Sequence, residues 1–129
     1  MRDALSTLLL RIGLGGVFFW FGLDKYHDPH AWHTWVPVVI QGKLPVAMDL
    51  FLRIQGVTEM VFGALIVTGL FTRFACLICA AFILTVLHYF GLNQALIRDL
   101  ALFMICLSLL VSGPKQISFD HLFFSRRRR

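Results

Sequence analysis

Residues 46–71 read VAMDLFLRIQGVTEMVFGALIVTGLF. A run of that length exceeds the ~20 apolar residues needed to cross the ~30 Å hydrocarbon core of a bilayer as a helix. Glu59 stands near its middle, with Arg53 earlier in the same run. An ionisable side chain at such depth costs ~2.5–3.5 kcal/mol on insertion scales, so it pairs or lines a polar cavity. Three more spans follow outward from this one. The first, 4–23, is interrupted by Arg11; the third, 74–92, carries His88 near its end; the fourth, 96–112, carries Arg98 and Asp99 near its start. The uncharged part of the fourth, 100–111, is shorter than a full crossing, which leaves a re-entrant or polar-ended helix as an alternative.

Composition agrees with a membrane chain. Of 129 residues 58% are hydrophobic and the mean hydropathy is +0.77, against about 45–50% apolar residues in a soluble domain. The length predicts one domain, 1–129. Arg11 and the lack of an Ala-x-Ala cleavage site argue that the first segment is a retained span rather than a signal peptide. The net charge of +5 does not imply nucleic acid; basic residues here set orientation and meet anionic lipid. Seven of them (Arg2, Arg73, Lys115 and the four arginines at 126–129) fall on one side, and three (Lys25, Lys43 and Arg98) on the other. The positive-inside rule then places both termini in the cytoplasm. The expected fold is all-α: a membrane-embedded four-helix bundle with both termini cytoplasmic.

The loop 24–45 is then the only long one and lies outside. Its Tyr26, Trp32 and Trp35 suit a membrane–water interface. A short helix around 29–35 is predicted, with Pro29 in the first position and Asp28 as N-cap. A tight turn is expected at 69–73. Gly113-Pro114 should stop the last helix, after which Ser118 would cap a short amphipathic piece in the cytoplasmic tail, 113–129.

Gly15 and Gly22 share a face of the first helix with Arg11, and Gly56 and Gly63 flank Glu59 on the second. Small residues let helices approach closely in lipid, so these faces are expected to meet. Counted at about 1.5 Å per residue, Arg11 lies about 10 Å and Glu59 about 16–18 Å from the inner boundary. An Arg11–Glu59 pair is therefore expected, with Arg53 pointing elsewhere.

The pattern Arg11…Gly15…Phe18-Phe19…Gly22…Lys25, then Gly56-x-x-Glu59-x-x-x-Gly63…Gly69…Arg73, then Arg98-Asp99…Gly113-Pro114…Ser118-x-Asp120, resembles the DoxX family of small four-helix membrane proteins. The likeness runs over nearly the whole chain. The His-rich first loop, the Cys-x-x-Cys and the Arg tail depart from the usual pattern. The resemblance implies a compact four-helix bundle in a prokaryotic plasma membrane. It also implies a quinone- or thiol/sulfur-linked redox role, since the family is named for relatives of a thiosulfate:quinone oxidoreductase subunit.

Several constellations could carry chemistry. Arg11 and Glu59 would either fix helix register as an ion pair or form the floor of a polar pocket that binds a quinone or another small polar ligand. Lys25, Arg53, His88, Arg98 and Asp99 gather at the outer half, where a His88–Asp99 hydrogen bond is expected; they either snorkel to the boundary or make a basic, outward-opening pocket for an anion such as a sulfur oxyanion or for a quinol head group, with Arg53, His88 and Asp99 as its outer wall. His27, His30 and His33 follow a His-x-x-His-x-x-His pattern. Imidazole is a common metal ligand, so they are weak candidates for metal or haem, and a solvated interfacial loop is the leading reading. Cys76 and Cys79 form Cys-Leu-Ile-Cys at a helix start, where a thiol is activated, yet cysteine also serves as small apolar filler. With Cys106 the number is odd, which is not a disulfide framework. The leading expectation is a subunit or accessory of a membrane redox system, with membrane lipids and other membrane or redox subunits as partners and quinone as the candidate cofactor. A scaffolding subunit without its own chemistry and a small homo-oligomeric transporter are the alternatives. Whether the chain is catalytic is left open.

Overall fold

The computed structural model describes residues 2–91 and 94–113. The expected amphipathic piece after Ser118, Lys115 and the arginine tail lie outside them. The chain forms α1 (Arg2–His27), a 3-10 helix (Pro29–Trp35), α2 (Val38–Gln41), α3 (Met48–Thr68), α4 (Thr72–Phe90) and α5 (Gln94–Ser112). No strand occurs among the described residues. Three of these helices, α1, α3 and α4, are long and apolar enough to cross a membrane. A helix satisfies its own backbone polar groups, which lipid cannot do.

Helix boundaries follow local chemistry. Gly69 takes up the left-handed conformation (φ 75°), and its N–H returns to the carbonyls of Leu65 and Ile66, ending α3. The 69–73 turn is thus as tight as the sequence suggests, and it makes α3 and α4 antiparallel neighbours. Gly91 ends α4 with its N–H on the Leu87 carbonyl, and Gly113 ends α5 at φ 68°. Pro29 does open the 3-10 helix, but the Asp28 side chain makes no capping bond.

The α1–α3 pair is the most closely joined, because four glycines meet across it. A Cβ on Gly15 would stand 2.5 Å from the Gly63 carbonyl oxygen, and one on Gly56 would stand 2.5 Å from the Gly22 carbonyl oxygen. Neither distance is tolerable, so the backbones are in direct contact there. Antiparallel register follows: Gly15 faces Gly63, and Gly22 faces Gly56. α4 packs on α5, and the α3–α4 and α1–α5 seams close the arrangement. The shared core holds Leu14, Phe18, Ile66, Ile83 and Leu109, with Cys76, Cys79 and Cys106 among them. Outward surfaces are apolar: Leu9, Trp20, Phe74, Leu84 and Met104 are all exposed. So many large exposed apolar side chains are rare on soluble monomers and suit a lipid surround.

The glycine contact yields a test. Gly63→Ala should force α1 and α3 apart and destabilise the fold by about 1–3 kcal/mol, the usual penalty of overpacking. Gly16→Ala, whose Cβ would meet nothing within 4 Å, should be neutral or slightly stabilising. Thermal unfolding in detergent reads both, and equal midpoints for the two variants would refute the contact.

Candidate functional site

Glu59 is buried, and its partner is Lys25. The ammonium Nζ donates to Glu59 Oε1 at 2.6 Å, and only 7% of either residue is exposed. Gln55, one turn before Glu59, donates to the same oxygen at 3.4 Å. Lys25 also lies over the Trp32 ring, 4.6 Å from its centroid, where the ring face attracts the cation. Trp32 is held in turn by a 2.9 Å hydrogen bond from its indole N–H to Asp24. The second carboxylate oxygen of Glu59, Oε2, is buried without a hydrogen-bond partner among the described residues.

The expected Arg11–Glu59 pair does not form. Arg11 instead donates to the backbone carbonyls of Ile66 (3.1 Å) and Val67 (2.8 Å) in the last turn of α3. Carbonyls in the last turn of a helix lack the usual i+4 amide donor and carry the negative end of the helix dipole, so a guanidinium is well matched to them, even though Ile66 O also takes the Gly69 N–H. Two physical causes move Arg11 away from Glu59. Stepping four residues back from Gly15 and four forward from Gly63 brings Arg11 opposite Val67, about 12 Å along α3 from Glu59. Side chains also lean toward the N-terminus of their own helix. In antiparallel helices, Arg11 leans further from Glu59, whereas Lys25 and Glu59 lean toward each other and meet beside Gly22 and Gly56. A Cβ on Gly56 would lie 3.1 Å from the Lys25 Cβ, so the missing side chain leaves the lysine stem its path.

The pair borders a cavity of about 310 Å³, within the size range of small-molecule sites. Its polar margin is Lys25, Gln55, Glu59, Arg98 and Asp99; Phe18, Phe21, Leu52, Phe82 and Val86 give apolar walls, and Trp32 and Trp35 of the 3-10 helix cover one side. Arg98 bonds its neighbour Asp99 at 3.3 Å and lies 4.8 Å over the Phe21 ring. Two cations and two anions therefore share the margin. A second cavity of about 430 Å³ lies along α3 and α4, lined by Phe51, Ile78, Ala81 and Thr85, and has Trp35, Val36, Gln55, Phe82 and Val86 in common with the first.

The DoxX family's sequence model matches residues 6–91. The chain belongs to the DoxX family. No curated protein and no solved structure matches it. The DoxX match takes in Lys25, Gln55 and Glu59, while Arg98 and Asp99 of α5 lie beyond it.

Other residues expected at the pocket are placed elsewhere. Arg53 is exposed and lies 5.6 Å over the Tyr26 ring, outside the cavity lining. His88 is also exposed and contacts Tyr89 edge-on; it makes no bond to Asp99, which takes Arg98 instead. His27 belongs to α1 and bonds the Leu23 carbonyl at 3.0 Å. His30 and His33 come together on a residue the loop pattern does not contain, Asp49. Cys76 and Cys79 are buried in the apolar core beside Cys106 and Ile66, as free thiols. Gln55, Trp32, Trp35, Phe21 and Phe82 were missed as site residues. Gln55 was legible from its i, i+4 spacing to Glu59, whereas Phe82 had no sequence signal.

Lys25→Met and Glu59→Leu should each destabilise the fold strongly, since breaking a buried pair costs ~3–5 kcal/mol in soluble proteins. The double substitution should recover most of that loss. A double-mutant cycle on unfolding in detergent measures the coupling, and additive single effects would show that the two groups do not act as a pair.

Proposed function

We propose that this DoxX protein is a subunit or accessory of a membrane redox system, and that its cavity holds the head group of a quinone-type amphiphile. The observation that carries the reading is the buried Glu59 Oε2, which has no hydrogen-bond partner among the described residues, on a side chain that lines the cavity. A buried polar oxygen without a partner is costly, and a donor carried by a bound molecule would complete the site. A quinol hydroxyl supplies that donor, and Lys25 can donate to a quinone carbonyl. The balanced charge of the margin favours a neutral head group over an anion such as a sulfur oxyanion. The adjoining cavity along α3 and α4 suits the apolar tail. In this reading the chain is a four-helix bundle spanning a prokaryotic plasma membrane four times, with both termini cytoplasmic and the 3-10 helix at the outer face.

The rival reading is a scaffolding subunit in which the Lys25–Glu59 pair only fixes register; the same buried pair supports it. Binding separates the two. In nanodiscs, a short-chain quinone should quench tryptophan fluorescence saturably in a Trp20→Phe background, where Trp32 and Trp35 report. Lys25→Met should weaken binding about 10–100-fold, the worth of a hydrogen bond to a charged group. Phe82→Trp, which narrows the cavity and leaves the pair intact, should weaken it too. Quenching that never saturates and is the same in all variants would favour the scaffold.

Topology is tested separately. In intact cells a membrane-impermeant thiol reagent should label Lys43→Cys and spare Arg2→Cys. The reverse pattern would overturn the orientation.

A further inference from the structure

We propose that His30, His33 and Asp49 form a binding site for a divalent transition-metal ion, which fastens the 3-10 helix to the start of α3. The carboxylate of Asp49 faces both imidazoles: His33 Nε2 lies 2.6 Å from Oδ1 and His30 Nε2 lies 3.4 Å from Oδ2. One ligand atom from each of the three residues falls within 4.8 Å of the others. A metal held at about 2.0–2.2 Å from such atoms needs them somewhat over 3 Å apart, a small adjustment from this arrangement. The backbone supports it. In a 3-10 helix residues three apart eclipse, so His30 and His33 stand on one side, their ring centroids 4.9 Å apart. Asp49 comes from a separate element, the first turn of α3.

The donor set selects the class of ion. Two imidazoles and one carboxylate suit zinc, nickel, copper or ferrous iron, whereas calcium and magnesium require oxygen ligands. Three protein ligands leave a position for water. His30 is three-quarters exposed at its side chain, so a hydrated ion can reach the site without rearrangement. Where a proton is shared between His33 and Asp49, the metal takes its place and the proton leaves to solvent. The segment so fastened is the one that carries Trp32 and Trp35 over the cavity. The inference is independent of what that cavity binds.

The test uses the full chain, stripped with a chelator, in detergent and without quinone. Zinc is titrated by calorimetry, and hydrogen exchange is followed over residues 28–47. One equivalent should bind saturably, and exchange there should slow. His30→Gln, at an exposed position whose loss does not endanger the fold, should weaken binding at least about tenfold, since even an outer-shell partner of a metal carries that much. His33→Gln and Asp49→Asn should do the same, and His27→Gln and His88→Gln should change nothing. Absence of saturable binding, wild-type affinity in His30→Gln, or a loss in His27→Gln equal to that in His30→Gln would each overturn the site and leave the three residues as a hydrogen-bonded clip.

Discussion

The contact of glycine backbones between α1 and α3 fixes almost everything else in this protein. Lipid is as apolar as the side chains it surrounds, so helices in a membrane gain little by burying leucine; close packing and polar bonds hold them together instead. Gly15 against Gly63 and Gly22 against Gly56 bring the two backbones to touching distance. Such contacts cannot slide, because a shift of one residue sets a side chain against a carbonyl. Register is therefore specified by steric exclusion, and each charged group is delivered to one height along the pair.

Charge placement then follows from the lean of side chains. One cation meets carbonyls in the last turn of α3, and the other meets a carboxylate. Neither arrangement leaves a cation unmatched in the low-dielectric interior. The two differ in what they leave over. Arg11 is spent on backbone that any sequence would present, whereas Glu59 keeps one oxygen facing no described partner. The first is architecture; the second gives the cavity its chemical character.

The sequence showed the elements more fully than the site. Long apolar runs with Gly69 and Gly113 after them marked the helices, and the family pattern agreed with them. The Arg11–Glu59 expectation failed because depths were counted from separately guessed span ends, and small errors at two boundaries added. The glycine pairs held the correct register all along, being a direct contact rather than a count. Lys25 was set in the loop because the apolar run stops near Leu23, but α1 continues to His27. A helix can outlast its hydrophobic stretch when a lysine finds an anion across the interface. His30 and His33 stand on one side because the chain there follows the 3-10 period, and Asp49 joins them only through the folding back of residues 36–48. Pairings of that kind depend on tertiary geometry and leave no local trace.

The arginine in α1 also bears on how the chain is made. α1 leaves the ribosome first, and the carbonyls that receive Arg11 belong to the last turn of α3, 55 residues later for Ile66. At a synthesis rate of about 5–20 residues per second, α1 spends seconds near the membrane with a cation whose backbone acceptors at the end of α3 do not yet exist. Biogenesis therefore favours holding α1 beside the insertion machinery, or at a polar margin of the bilayer, until α3 arrives.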